Sequence, residues 1–177
     1  MSLLKQFFIM NKFVLLYSWF IRSFLYFLPD MPLTMRLRGF LYGLSIKKCG
    51  KNFQVANNVY LKNLLNLEIG NNVFIGNNSM ILGSGQIIIE DEVLIGPNVV
   101  VISGSHTKIG KSYRYGQASI GTIILKRGSW VTSNCTIVKD SKLPEGSVLG
   151  ANSVLNKIFD IEEGLYAGSP AKFIKKI

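Results

Sequence analysis

The sequence predicts a mainly β solenoid, and three observations carry that expectation. An aliphatic residue opens each unit of six, a small or aliphatic residue stands four places later, and Gly or Asn recurs between them. Openers fall at Cys49, Val55 and Leu61, at Ile69, Ile75 and Ile81, at Ile89, Ile95 and Val101, and after a break at Leu125, Val131, Ile137, Leu143 and Leu149. The fifth places are Phe53, Val59, Leu65, Val73, Ser79, Gly85, Val93, Val99, Ser105, Ser129, Cys135, Ser141, Ser147 and Ser153. These fourteen units keep phase across two-residue slips at Leu67-Glu68 and Ile87-Ile88 and across one long insertion. Self-similarity at a fixed period marks a chain of like units, each burying its apolar face on the next.

The first element is an N-terminal helical segment, residues 1–45. Leu3 to Leu28 is strongly apolar, but Lys5, Lys12 and Arg22 interrupt it, so no run approaches the roughly 20 apolar residues of a membrane-spanning helix. On a helical wheel Lys5, Asn11, Lys12, Ser18, Arg22 and Ser23 gather on an arc of roughly 140°, with Gln6 outside it. That leaves a broad apolar face which includes Phe7, Leu16, Phe20 and Phe27. Two covers suit such a face: the solenoid end or a neighbouring subunit, and a membrane surface with the basic residues among anionic headgroups. The segment lacks the small-residue cleavage site of a signal peptide and is expected to remain in the mature protein. Pro29 and Pro32 end the helix.

Residues 46–160 form the solenoid, with an inserted loop at about 107–124, and residues 161–177 form a tail. Units such as Ile69-Gly70-Asn71-Asn72-Val73-Phe74 join a short extended stretch to a corner, where Gly and Asn tolerate positive φ. Three such corners close a triangle, and stacked triangles place each aliphatic opener on its equivalent one coil away. At 177 residues and 48% hydrophobic content the chain is long and apolar enough for one domain with a real core. Both cysteines occupy repeat positions, Cys49 as an opener and Cys135 at a fifth place. They read as small buried hydrophobes, which suits a reducing compartment. The formal charge is +10, and residues 1–51 hold eight Lys or Arg against one acid, Asp30.

His106, the single histidine, follows Val101-Ile102-Ser103-Gly104-Ser105 and directly precedes the insertion. A lone histidine is more often structural than catalytic. This one stands where the solenoid stops being regular, and irregular loops on rigid scaffolds are where sites concentrate. Lys108, Lys111 and Arg114 lie in the insertion, with Lys126 and Arg127 nearby and Tyr113 and Tyr115 among them. Such a loop reads either as the lining of a cleft for an anionic or sugar-like ligand, or as a solvated basic loop.

Three motifs carry a resemblance to a known family. They are Ile95-Gly96-Pro97-Asn98-Val99 followed by Ser105-His106; Ser129-Trp130-Val131-Thr132-Ser133-Asn134; and Leu149-Gly150-Ala151-Asn152-Ser153-Val154-Leu155-Asn156-Lys157 followed by Ala167-Gly168-Ser169-Pro170-Ala171-Lys172. Over about residues 46–176 the chain resembles the hexapeptide-repeat acetyltransferases, in the branch that holds galactoside, maltose and surface-polysaccharide O-acetyltransferases. The resemblance implies a left-handed parallel β-helix of about five coils, a homotrimer with sites between adjacent prisms, and acetyl-CoA as co-substrate with no metal. It implies His106 as general base, removing the proton from a sugar hydroxyl that attacks the thioester directly, a task suited to an imidazole.

For the donor, the resemblance points to Ser133, Ala151, Asn156, Lys157 and Lys172 along a prism edge, with Trp130 flanking the acyl site or capping the core. Lys175 reads either as a further cation for the CoA phosphates or as part of a solvated basic tail, and Cys135 reads as a buried structural thiol rather than an acyl carrier. On the acceptor side the candidates are Asn77, Asn98, Tyr113 and Arg114. The sequence departs from the family pattern at three places. Thr132 stands where the family has glycine, and Thr107 stands where many polysaccharide-modifying relatives have an acid. Gly76 stands where the galactoside and maltose branch holds the acceptor with asparagine, and Asn77 is beside it.

The function expected is O-acetylation of a saccharide or lipid-linked saccharide for bacterial surface polysaccharide, in the cytoplasm or at the inner face of the membrane, with residues 1–28 as the peripheral contact. N-acetylation of an amino-sugar nucleotide or antibiotic is the alternative within the class. A non-enzymatic solenoid explains the repeats but not His106 beside the insertion. A zinc-dependent anhydrase of this fold needs three histidines, and the chain has one. No basic-aromatic motif supports nucleic-acid binding.

Overall fold

The computed structural model describes the backbone of residues 3–177 and side chains from Lys12 onward. The side chains of Lys5, Gln6, Phe7 and Asn11 therefore lie outside the described residues. Two helices precede the solenoid, α1 (Leu3–Phe24) and α2 (Pro32–Gly43). The first coil is β1 (Lys48–Cys49), β2 (Gln54–Val55) and β3 (Tyr60–Leu61); the second is β4 (Leu67–Ile69), β5 (Phe74–Ile75) and β6 (Met80–Leu82); the third is β7 (Ile87–Ile89), β8 (Leu94–Ile95) and β9 (Val100–Ile102). A hairpin, β10 (Gly104–His106) with β11 (Ala118–Ile120), interrupts the stack. The fourth coil is β12 (Ile123–Leu125), β13 (Trp130–Val131) and β14 (Thr136–Val138), and the fifth is β15 (Ser141–Leu143), β16 (Val148–Leu149) and β17 (Val154–Leu155). Ile158 then bridges to Lys142, β18 (Gly164–Ala167) pairs with β16, and β19 (Lys172–Lys176) returns antiparallel on β18. The five coils expected from the sequence are the complete ones, and the partial sixth brings the solenoid to about six turns.

Like strands of successive coils pair in parallel, giving three faces. Face A is β1, β4, β7, β12 and β15; face B is β2, β5, β8, β13, β16 and β18, with β19 at its end; face C is β3, β6, β9, β14 and β17. The two slips have a simple cause. In the early coils partners lie 20 residues apart, as in the Asn52 to Asn72 side-chain bond, and in the late coils 18 apart, as in Lys142 and Asp160. Three hexads fill a late coil, and each early coil carries two extra residues at a corner.

Every opener from Val55 to Leu149 is buried, and Cys49 is half-buried. Two fifth places leave the pattern. Leu65 lies in a 3₁₀ turn, Leu64–Asn66, that buries Leu64 instead, and Ser105 is exposed on the hairpin. Each complete corner from β2 to β17 on the B side turns at an asparagine with positive φ: Asn58, Asn78, Asn98, Asn134 and Asn152. The short side chain of asparagine makes this conformation cheap, so the corners recur without strain.

The helices close the first coil. Pro32 opens α2, where its missing N–H is no loss, and the Thr34 hydroxyl accepts from the Met31 N–H at 3.1 Å. Tyr42 is buried and donates to the Val59 carbonyl at 3.4 Å; burial pushes its hydroxyl up to about 12, against the Ser18 hydrogen bond and the Arg22 and Arg38 charges. At Gly39 a Cβ would stand 1.9 Å from the Phe53 carbonyl oxygen, so only glycine lets α2 lie this close to β2. Gly39→Ala is expected to destabilise the fold by about 1–3 kcal/mol, the usual cost of overpacking, read as a lower denaturant midpoint. An unchanged midpoint would show that α2 is free to lift away.

The polar arc expected on α1 does not face outward as a unit. Ser18 is buried and donates to the Leu61 carbonyl at 2.5 Å, and the Arg22 guanidinium lies 4.9 Å over the Tyr60 ring. Ile21 is buried beside them, and the Tyr17 hydroxyl donates to the Leu41 carbonyl at 2.8 Å. The broad apolar face therefore divides: one half seats α1 on the first coil and α2, and the other half is open.

Candidate active site

His106 is held on an arm rather than in a coil. Gly104 pairs with Ile120, Ser105 with Ser119 and His106 with Ala118, and the Thr107 N–H and hydroxyl both donate to the Gln117 carbonyl, at 2.9 and 3.1 Å. The arm's root is packed tightly. Ser103 is buried and donates to the Gly85 carbonyl at 3.0 Å, the Asn63 amide donates to the same oxygen at 2.6 Å, and a Cβ on Gly85 would meet the Gly121 carbonyl at 2.0 Å. Asn63, Ser103 and Gly121 were not among the sequence candidates. Their signal was faint: Gly83-Ser84-Gly85 stands one coil before Ser103-Gly104, so two small runs stack where the arm departs.

A rigid root thus carries an exposed imidazole. Among the described residues no group hydrogen-bonds it. Tyr113, Arg114 and Tyr115 lie in the loop of the arm, all exposed, with the Arg114 guanidinium 6.0 Å from the Tyr115 ring. The basic character of this loop comes from Lys108, Lys111 and Arg114 alone. Lys126 and Arg127, grouped with them in the sequence, sit at the corner between faces A and B, paired with Glu90 at 2.6 Å and Glu92 at 3.2 Å. The Glu90 carboxylate holds the Lys126 ammonium above the usual lysine range.

The remaining candidates fall on two edges. The arm leaves from the edge between faces C and A, and Asn156 and Lys157 follow β17 on that edge, both exposed, with the Lys157 ammonium 5.1 Å from the Phe159 ring. Asn77, Asn98, Ser133 and Ala151 line the edge between faces B and C. There Asn98, Asn134 and Asn152 donate their N–H groups to the carbonyls of Asn77, Pro97 and Ser133 in successive coils, at 2.9, 3.1 and 3.2 Å. Lys172 is beside the same edge, paired with Ala167. The two edges stand at opposite ends of face C, roughly 15–20 Å apart by the rise of extended chain. One chain does not bring His106 together with Ser133 or Ala151.

Trp130, Asn77 and Thr132 each have a defined place. Trp130 neither caps the core nor reaches His106: it stands half-exposed on the outer side of face B between Leu94 and Val148. The Asn77 amide is bonded to the Asp30 carboxylate, which also binds Arg38, so it fastens the N-terminal segment. Thr132 folds inward, donating to the Leu149 carbonyl at 2.7 Å, so its bulk leaves the edge beside Ser133 clear. Cys135 is buried with its thiol 3.1 Å from the Gly150 carbonyl, as a structural thiol would be. No cluster of metal-ligating side chains occurs among the described residues.

No protein-family model matches the chain, and no curated protein does. Solved structures of the same fold are found at 21% identity. One is a hexapeptide-repeat-containing acetyltransferase from Vibrio cholerae complexed with acetyl coenzyme A, covering 93% of this chain and 87% of that one at a TM-score of 0.79. Another is a maltose O-acetyltransferase from Clostridium difficile, with 94% and 88% covered at 0.82. A third is a mutant N-acyltransferase from Bacillus cereus in complex with dTDP-4-amino-4,6-dideoxyglucose and coenzyme A, with 77% and 87% covered at 0.63. The chain thus has the parallel β-solenoid fold of the hexapeptide-repeat acetyltransferases.

Proposed function

We propose that this protein is an acetyl-CoA-dependent O-acetyltransferase acting on a saccharide hydroxyl, in the building of a bacterial surface polysaccharide. The observation that carries the reading is the placement of the single histidine, exposed on a rigidly rooted arm at the one major break in the solenoid. His106 takes the proton of the acceptor hydroxyl as that oxygen bonds to the acetyl carbon, and returns it to the thiolate that leaves. The edge between faces B and C suits the donor: Ser133 and Ala151 are small, and Lys172 supplies a cation for phosphates.

The same layout supports a homotrimer. The outer side of face B is an apolar ladder of Phe74, Leu94, Trp130 and Val148, and face C presents Met80, Val100, Leu82 and Ile102, whereas the outer row of face A runs Lys48, Glu68, Ile88, Ile124 and Lys142, with charges at both ends. Copies joined through faces B and C bring the His106 edge of one chain to the Ser133 edge of the next and supply the partner the imidazole lacks. The sugar-nucleotide amine bound by the Bacillus cereus neighbour keeps an N-acyl acceptor as the second reading.

The test is thiol release from acetyl-CoA with a panel of hydroxyl and amino sugars, run beside light scattering. Turnover with hydroxyl acceptors by a particle of three chains is expected. Turnover confined to amines selects the second reading, a fully active monomer overturns the trimer, and absence of both turnover and CoA binding overturns the enzyme.

A further inference from the structure

We propose that the open faces of α1 and α2 dock on an anionic phospholipid bilayer, holding the solenoid against a membrane without crossing it. With its other side seated on the first coil, α1 presents Phe13, Leu16, Phe20 and Phe24, each more than half exposed, and Phe27 continues the stripe. Leu33, Phe40 and Leu44 do the same on α2, with Leu37 between them. Their spacing of three, four and seven residues is that of one helix side, so these are two apolar stripes rather than scattered side chains. Contiguous apolar surface of this extent marks an interaction site. No described helix is long and apolar enough to cross a membrane. Seated on the first coil along one side and apolar along the open one, α1 has the form of a helix that lies in the interface.

The charge around these stripes selects the occupant. Residues 1–51 hold eight Lys or Arg; their one acid, Asp30, is taken by buried Arg38 and by Asn77, and Lys47 is paired with Glu68 of the second coil, which leaves the segment basic overall. Beside α2 a groove of about 710 Å³ runs between the helix and the first coil, lined by Phe40, Leu44 and Phe53 together with Arg36 and Lys51, both exposed. Apolar and cationic side chains on one groove suit a lipid, whose chain and phosphate make the same two demands. A second copy of this chain would bring one basic surface against another, whereas an anionic bilayer supplies the opposite charge to the whole face. The inference does not rest on the transferase reading, because vesicle binding is scored with neither donor nor acceptor present.

The test is flotation of the full chain with phosphatidylcholine vesicles, with and without phosphatidylglycerol. Binding is expected to the mixed vesicles and to weaken with salt. F13S/F20S/F24S removes exposed rings only, and should lower binding at least about tenfold while circular dichroism stays unchanged. R36E/K51E alters charge on exposed positions outside the α1 stripe, and should also lower binding, chiefly at low salt. Failure of the full chain to bind mixed vesicles overturns the proposal, as does binding by both variants equal to that of the parent. Failure to bind vesicles, together with a smaller particle for F13S/F20S/F24S in light scattering, overturns it in favour of a contact between copies.

Discussion

Replacing His106 by alanine is expected to slow acetyl transfer by about 10²–10⁴-fold, the usual worth of a positioned general base, with the fold and CoA binding unchanged. The expectation of an intact fold comes from the surroundings of the side chain. It is exposed, none of the described groups bonds it, and the arm is closed by backbone pairing and by Thr107, not by the imidazole. The donor candidates Ser133, Ala151 and Lys172 lie on the other edge of face C in the same chain, so truncating His106 leaves them untouched. The loss should therefore fall on kcat, with the acetyl-CoA KM and the melting temperature close to those of the parent. Equal turnover by His106→Ala and the parent would remove His106 from the chemistry.

Replacing Arg38 by methionine is expected to cost about 3–5 kcal/mol of stability, the range seen when one partner of a buried ion pair is removed. The Arg38 side chain is 4% exposed and Asp30 is 27% exposed, at 2.6 Å from each other. The same guanidinium donates to the Leu28 carbonyl at 2.6 Å and the Leu25 carbonyl at 3.2 Å, tying the link after α1 to α2. Methionine fills much of the volume but leaves the Asp30 carboxylate with the Asn77 amide and no cation, and takes a donor from each of the Leu25 and Leu28 carbonyls. The Nε of Arg38 has no partner among the described residues, which subtracts from the gain of the intact network. Urea unfolding monitored by Trp19 and Trp130 fluorescence reads the cost. A midpoint equal to the parent's would mean that the link is held by apolar packing alone.

The solenoid was legible because its period is written in side chains that must be buried in every coil. Ile75, Ile95, Val131 and Leu149 stack on face B and tolerate no polar substitute, so the sequence repeats them. Even the slips were visible, as two extra residues in each early coil. The arm was less so, since its pairing joins Ser105 and Ser119 on exposed strands that need no hydrophobic pattern. The division of the site between two edges comes from the resemblance, which implies sites between adjacent prisms, and not from spacing. Spacing along the chain identifies Ser133 and His106, but the edge each occupies depends on how many corners separate them, and the insertion hides that count. On α1 the wheel separated polar from apolar residues, yet Ser18 reached a backbone carbonyl of the first coil, a demand no helix-local rule contains. Face outward and face inward were therefore exchanged for part of the arc.

The strand β19 has a consequence for growth in number rather than for shape. A column of parallel coils has no natural length, because the ladder groups on its last turn are the same as those on every turn before it. Left bare, such a rung is a template on which the first coil of another molecule fits, and repeated addition yields a fibre. β19 answers this by running antiparallel on β18 and placing Lys172, Lys175 and Lys176 along the free margin, so that the outermost hydrogen-bonding row is of the wrong polarity for another coil and is strongly cationic. At the opposite end α2 lies across the rung that β2 would otherwise offer. With one stop at each end, face B offers no bare parallel rung on which the coil of another molecule could continue the ladder.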